Sequence, residues 1–247
     1  MFKLLALIIF LTGIIPVYAQ DVYDKYGAMV RRGNVGKTIY LIFSADSTFE
    51  GAPLALDIMK KRNIKASFFF TGRFLRMAQH QKILQQIIAE GHYIGGHSDG
   101  HLLYADWDEN RSTLVTPDSL VADLRLNYRE LAKYGIDQSS APYYLPPYEW
   151  YNTENITAIS SLSLQTINFT PGQWLSDDYT TPDMGKKYRT CDWLQKQLYE
   201  FEREQSLDGA LLLMHLGTHP ARTDKLYLRL GEIIDYLASI GYKFSRL

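Results

Sequence analysis

The feature that most constrains this chain is a regular alternation. Short apolar runs rich in β-branched and aromatic residues exchange with amphipathic stretches of helical period, from Thr38 to the C-terminus. The first run, Thr38 to Phe43, reads as a buried strand, and Ala52 to Arg62 then carries Leu54, Ala55, Ile58 and Met59 at helical spacing until Asn63 stops it. The same beat predicts strands at 66–70, 92–95, 143–145, 164–169 and 210–215, and helices at 79–90, 120–134, 155–162, 193–204 and 225–240. Successive strands separated by helices pair in parallel, so the pattern implies one α/β domain whose parallel sheet is either open or closed into a barrel. A length of 247 residues, 46% of them hydrophobic, is enough for a barrel and its core.

Charge narrows the partners. Lys+Arg 26 against Asp+Glu 27 leaves a net charge of -1, with no global basic field to attract nucleic acid. The single cysteine, Cys191, cannot form an intramolecular disulfide. At the N-terminus, Met1-Phe2-Lys3 gives a short positive start, Leu4 to Val17 is nearly unbroken hydrophobe, and Ala19 is the small residue before a cleavage at Gln20. The apolar run contains Gly13 and Pro16 and is shorter than the ~20 residues of a spanning helix. Residues 1–19 therefore read as a cleaved secretory signal, 20–36 as an N-terminal extension and 37–247 as the folded domain, periplasmic or secreted without a stable membrane anchor.

In parallel α/β folds the chemistry gathers at the carboxyl ends of the strands. Four such ends are polar here: Ser44 to Ser47, Gly96 to His101, Pro146 to Glu149 and His215 to His219. His97 and His101, four apart, fall on one face of a helical turn, where two imidazoles can share a metal ion. Asp46, at another strand end, is the candidate third ligand, and two histidines with one carboxylate leave coordination positions open, as in catalytic sites.

His97-Ser98-x-x-His101 resembles the second motif of the NodB-like polysaccharide deacetylases, carbohydrate esterase family four. Phe43 to Asp46 falls where that family has Thr-Phe-Asp-Asp, Pro146-Pro147-Tyr148 where it has Arg-Pro-Pro-Tyr, and Leu213-x-His215 where it has its Leu-x-His. The resemblance runs from about Lys37 to Phe244. It implies a single-domain distorted (β/α) barrel and one divalent metal, usually zinc, held by Asp46, His97 and His101. The implied reaction is hydrolysis of acetyl groups from a polysaccharide or oligosaccharide. His215 takes the position of the general acid, Leu213 would shape the acetyl pocket, and the backbone N–H of Tyr148 would help to hold the oxyanion.

The departures fall together. The family's base position is left to Ser44 or Ala45, and the arginine that pairs with that base is replaced by Leu145. An arginine without its carboxylate partner would be a buried unpaired charge, so the two losses agree. Glu149, directly after the Pro-Pro-Tyr strand end, is the first substitute base, ahead of Asp99 and Glu50. The fourth motif keeps only Trp174, a candidate sugar-stacking residue, so the partner orienting His215 falls to Asp177, Asp178 or Asp183. Trp150, Tyr151 and Tyr179 offer further stacking faces. Three readings follow: a secreted metal-dependent deacetylase, a glycan-binding pseudoenzyme that retains the metal without turnover, and a hydrolase of another amide or ester bond.

Overall fold

The computed structural model describes residues 20–33 and 36–247, so the secretory signal expected at 1–19 lies outside the described residues. The strands are β1 Val22–Tyr23, β2 Met29–Arg31, β3 Thr38–Ala45, β4 Ser67–Phe70, β5 Tyr93–Gly96, β6 Tyr143–Tyr144, β7 Gln165–Thr166, β8 Leu211–His215 and β9 Lys243–Ser245. The α-helices are α1 Ala52–Lys61, α2 Gly72–Leu75, α3 Gln81–Ala89, α4 Pro117–Ala132, α5 Thr153–Ser160, α6 Cys191–Gln205 and α7 Leu230–Ser239. Strands run in the order β7-β6-β5-β4-β3-β8, and β9 joins the start of β3. Every pairing in this sheet is parallel. Helices cover it, which is why β3 and β4 are near-continuous apolar runs rather than alternating ones.

Residues of the N-terminal extension draw the two sheet edges together. Met29 bridges in parallel to Ile167, just past β7, and Arg31 bridges antiparallel to Ala210, just before β8. The Thr170 hydroxyl donates to the Val30 carbonyl at 2.6 Å across the same seam. The sheet therefore curls into a half-barrel, a distorted (β/α) barrel with its gap crossed by β2.

Two sequence expectations shift. The strand expected over 164–169 is regular only at Gln165–Thr166 and ends in the single Ile167 bridge to Met29; beyond it the Asn168 side chain donates to the Glu149 carbonyl and the Tyr151 hydroxyl. The last helix opens with a 3₁₀ turn at Leu226–Arg229 before α7. Register is what places the site. Ser44 pairs with His215, Ala45 with Phe70, Phe70 with Gly96 and Gly96 with Tyr144. The residues that follow these strand ends consequently share one rim.

Candidate active site

A cavity of about 390 Å³ opens at that rim, lined by Ser44, Asp46, His97, His101, Tyr148, Glu149, His215 and neighbouring residues. Leu213 and Trp174 do not line it. Leu213 is fully buried in β8, and Trp174, 43% exposed, packs edge-on against Trp193. Asp46, His97, His101, Tyr148, Glu149 and His215, given roles from the sequence, all converge on one cavity.

His97 is set by its surroundings at three points. Its backbone N–H lies within hydrogen-bond reach of the Phe70 carbonyl and of Asn127 Oδ1, and its Nδ1 lies 2.7 Å from the Leu145 carbonyl. A carbonyl only accepts, so Nδ1 carries the proton and Nε2 keeps its lone pair for the cavity. Burial, then the neighbouring His101, hold His97 well below the usual histidine range, so it is neutral. Gly96 is required just before it, since a Cβ there would meet Asn127 Oδ1 at 2.5 Å.

The segment 97–101 is a loop, not the helical turn expected from the spacing. Ser98 and His101 both take positive φ, 72° and 57°, and the loop is wrapped around Asp123 of α4. That carboxylate accepts from the Ser98 hydroxyl at 2.7 Å and from the backbone N–H groups of Asp99 and Gly100 at 3.0 Å each. The two rings still meet, their centroids 5.1 Å apart. Burial keeps His101 below its ordinary pKa as well.

His215 is paired with Asp178, whose Oδ1 lies 2.5 Å from Nδ1 and whose Oδ2 accepts the His215 backbone N–H at 2.8 Å. Burial alone would lower the His215 pKa, but the Asp178 carboxylate, 1% exposed, outweighs it and raises the value to about 9. Of the three candidate orienters, Asp178 is the one that reaches the ring. Glu149 is the opposite case. Burial pushes its carboxyl up to about 7, Asp178 adds to the push, and His215 pulls back. Tyr148 and Glu149 both sit at positive φ, 59° and 51°, which turns this segment sharply after the Pro146-Pro147 strand end. The Tyr148 backbone N–H takes no partner among the described residues.

Asp46 departs most from expectation. Arg73 of α2 grips both its oxygens, Nε donating to Oδ1 at 3.0 Å and Nη2 to Oδ2. The imidazole pair fits a divalent cation, being neutral with a nitrogen free; Asp46 does not, its carboxylate already being spent on a guanidinium. Among the described residues no three His, Cys, Asp or Glu side chains are arranged so as to hold a metal ion together. Asp99 and Glu50 are also engaged, with Arg76 at 2.6 Å and Lys225 at 3.2 Å. Arg222 is fully buried and braces the loop through the Thr180 and Arg189 carbonyls.

Sequence reasoning did not single out Asp123, Arg73 or Trp107. Asp123 was detectable, since Asp123 and Asn127 stand four apart on the buried face of α4 among Leu120, Leu124 and Tyr128.

The peptidoglycan N-acetylmuramic acid deacetylase PdaA of Bacillus subtilis is 27% identical over 230 residues, covering 92% of this chain and 76% of that protein. Among solved structures, a family-four esterase pseudoenzyme from Bacillus anthracis, in a mutant with restored activity, superposes with a TM-score of 0.67 at 21% identity, covering 89% of this chain and 69% of that one. A family 4 acetyl xylan esterase from Clostridium thermocellum, solved with a cobalt ion, gives 0.64 at 21% identity, covering 85% and 88%. Both structural likenesses speak for the fold. Residues 31–167 match the family model described as polysaccharide deacetylase, and this chain belongs to that family.

Proposed function

We propose that the protein is an exported hydrolase that removes N- or O-linked acetyl groups from a glycan. The observation that carries the reading is a single cavity faced by a neutral imidazole pair, a carboxyl poised near neutrality and an Asp178-paired imidazolium. His97, through Nε2, and His101 would hold a divalent cation, zinc by the family resemblance, and Asp46 would join them only by leaving Arg73. Such an ion supplies Lewis-acid polarisation of an acetyl carbonyl and makes a nearby water more acidic.

The chain's own residues supply the rest. Glu149 takes the proton of the attacking water, since a carboxyl with a pKa of about 7 is both sufficiently ionised and sufficiently basic at neutral pH. The unpartnered N–H of Tyr148 faces the developing oxyanion. His215, charged at neutral pH by Asp178, gives its proton to the departing amine or hydroxyl. Purified protein incubated with peptidoglycan, chitin fragments and acetylated xylan should release acetate from one of them, while His215→Ala should not. Absence of acetate release from all three refutes turnover.

The pairing of Asp46 with Arg73, together with Ser44 and Ala45 at the family's base position, favours a second reading. In it the protein binds glycan without turnover, and the same assay with a parallel binding measurement separates the two.

A further inference from the structure

Beside the cavity stands an aromatic cluster that the chemistry above does not use. Trp107 is 58% exposed and lines the cavity wall next to Tyr148, itself 45% exposed. Its ring centroid lies 5.1 Å from that of Trp150 and 5.9 Å from that of Tyr148. So large an exposed apolar surface costs solvation unless something covers it during function.

The surface is also held rigid. The hairpin that carries Trp107 closes through an antiparallel bridge between Ala105 and Thr113. The Asp108 carboxylate accepts from the Ser112 hydroxyl at 2.6 Å inside it. It is pinned to the segment bearing the site: Trp150 Nε1 donates to the Asp106 carbonyl at 2.9 Å, and Asn152 Nδ2 to the Arg111 carbonyl at 2.8 Å. The Arg111 guanidinium lies 3.4 Å from the Trp150 ring centroid and donates to the Tyr151 carbonyl, closing the far side of the cluster. A flexible lid would not be tied at so many points. Across the cavity Tyr179, 52% exposed, forms a second aromatic wall.

We propose that Trp107, backed by Trp150, is a stacking subsite for a pyranose ring of a glycan chain adjoining the unit whose acetyl group enters the cavity. The inference rests on the glycan reading above. It commits to a carbohydrate because the platform is aromatic, is continuous with the cavity, and matches the apolar C–H face of a sugar ring, while the exposed Asp106 and Asp108 on either side of Trp107 can accept from sugar hydroxyls.

The test uses soluble peptidoglycan glycan strands freed of their stem peptides, and chito-oligosaccharides of one to six units. Binding is read by tryptophan fluorescence and calorimetry, and turnover by acetate release. Trp107→Ala should weaken binding of the longer chains by about three- to tenfold, and the penalty should grow with chain length. Any loss in turnover should fall on KM rather than kcat. Trp107→Phe should recover most of the affinity, which a merely structural role would not give. Circular dichroism checks that both variants fold. Glycan binding by wild type that Trp107→Ala leaves unchanged overturns the subsite alone. A loss of equal size for one unit and for six overturns it too. Weakened binding in a protein that releases no acetate supports the subsite while refuting catalysis. A wild type that neither binds nor cleaves any of these chains overturns both.

Discussion

Asp178→Asn tests the electrostatics of the site most directly. In the wild type His215 has a pKa of about 9 against an ordinary 6.5, a difference of 9 − 6.5 = 2.5 units. At 1.36 kcal/mol per unit this corresponds to about 3 kcal/mol in favour of the imidazolium, even after burial has opposed it. Because the folded value lies above the unfolded one, that stabilisation is complete below about pH 6.5 and is lost as the pH rises through about 9. With asparagine in place, burial and Arg222 are opposed only by the weaker pull of Glu149, and the His215 pKa falls. Two measurements follow. The imidazole resonance of His215, followed by NMR, should titrate at least two units lower in the variant. The loss in Tm should be large at pH 6 and much smaller at pH 9.5. Turnover at pH 8 should fall as well, since the acid is then unprotonated before reaction. A variant whose His215 still titrates above pH 8, or whose Tm loss is the same at both pH values, would refute the assignment of the raised pKa to Asp178.

Glu149→Gln should retain the fold and lower turnover by about 10²-fold or more, the range for one general base, and the acidic limb of the pH profile near 7 should vanish with it; wild-type activity in the variant places the base elsewhere. Since the folded Glu149 value also lies above the unfolded one, the fold loses stability as pH rises from about 4.5 and the loss is complete above about 7, so Glu149→Gln should raise Tm at pH 8.5 more than at pH 5. His97→Ala or His101→Ala should abolish binding of a stoichiometric divalent ion, read by elemental analysis after dialysis. Arg73→Ala removes a cation and frees Asp46, so metal affinity measured by chelator competition should rise about fivefold or more, on the scale of roughly 1 kcal/mol for one unit charge a few ångströms away in a wet site. Unchanged or weaker affinity would mean that Asp46 holds no metal even when released.

The elements legible in the sequence are those whose residues bury both faces or one clear stripe. β3, β4, α1 and α6 fall within two residues of expectation because their apolar periodicity is determined locally. The candidate site was legible at its strand ends for the same reason: a parallel sheet in register carries polar residues after each strand to one rim. What the pattern hid was long-range. The spacing of His97 and His101 suggests a helix, but the loop's shape is dictated by Asp123, 22 or more residues away, whose carboxylate attracts three donors from it. Asp46 was legible as a strand-end acid. That Arg73 would claim it depends on where α2, a four-residue helix without a periodic signature, sets down after β4.

Backbone strain at this rim is held in place by identifiable contacts. Ser98, His101, Tyr148 and Glu149 all occupy the left-handed region that non-glycine residues avoid, and three of the four side chains line the cavity. Each such residue costs of order 1–3 kcal/mol and persists only where its surroundings over-determine it. Those surroundings are visible: Asp123 fixes the first pair, while the Asn168 amide, bonded to the Glu149 carbonyl, and the Pro146-Pro147 turn fix the second. His215 is paired with a buried carboxylate from the 3₁₀ turn at Leu175–Tyr179, and a second carboxyl, Glu149, lines the cavity beside it. Positive φ also occurs away from the cavity, at Asn63, Ser163 and Ser206 among others, so strain alone does not mark the site; what sets the rim apart is that its strained residues are buttressed beside an imidazole pair and the carboxylate-paired His215.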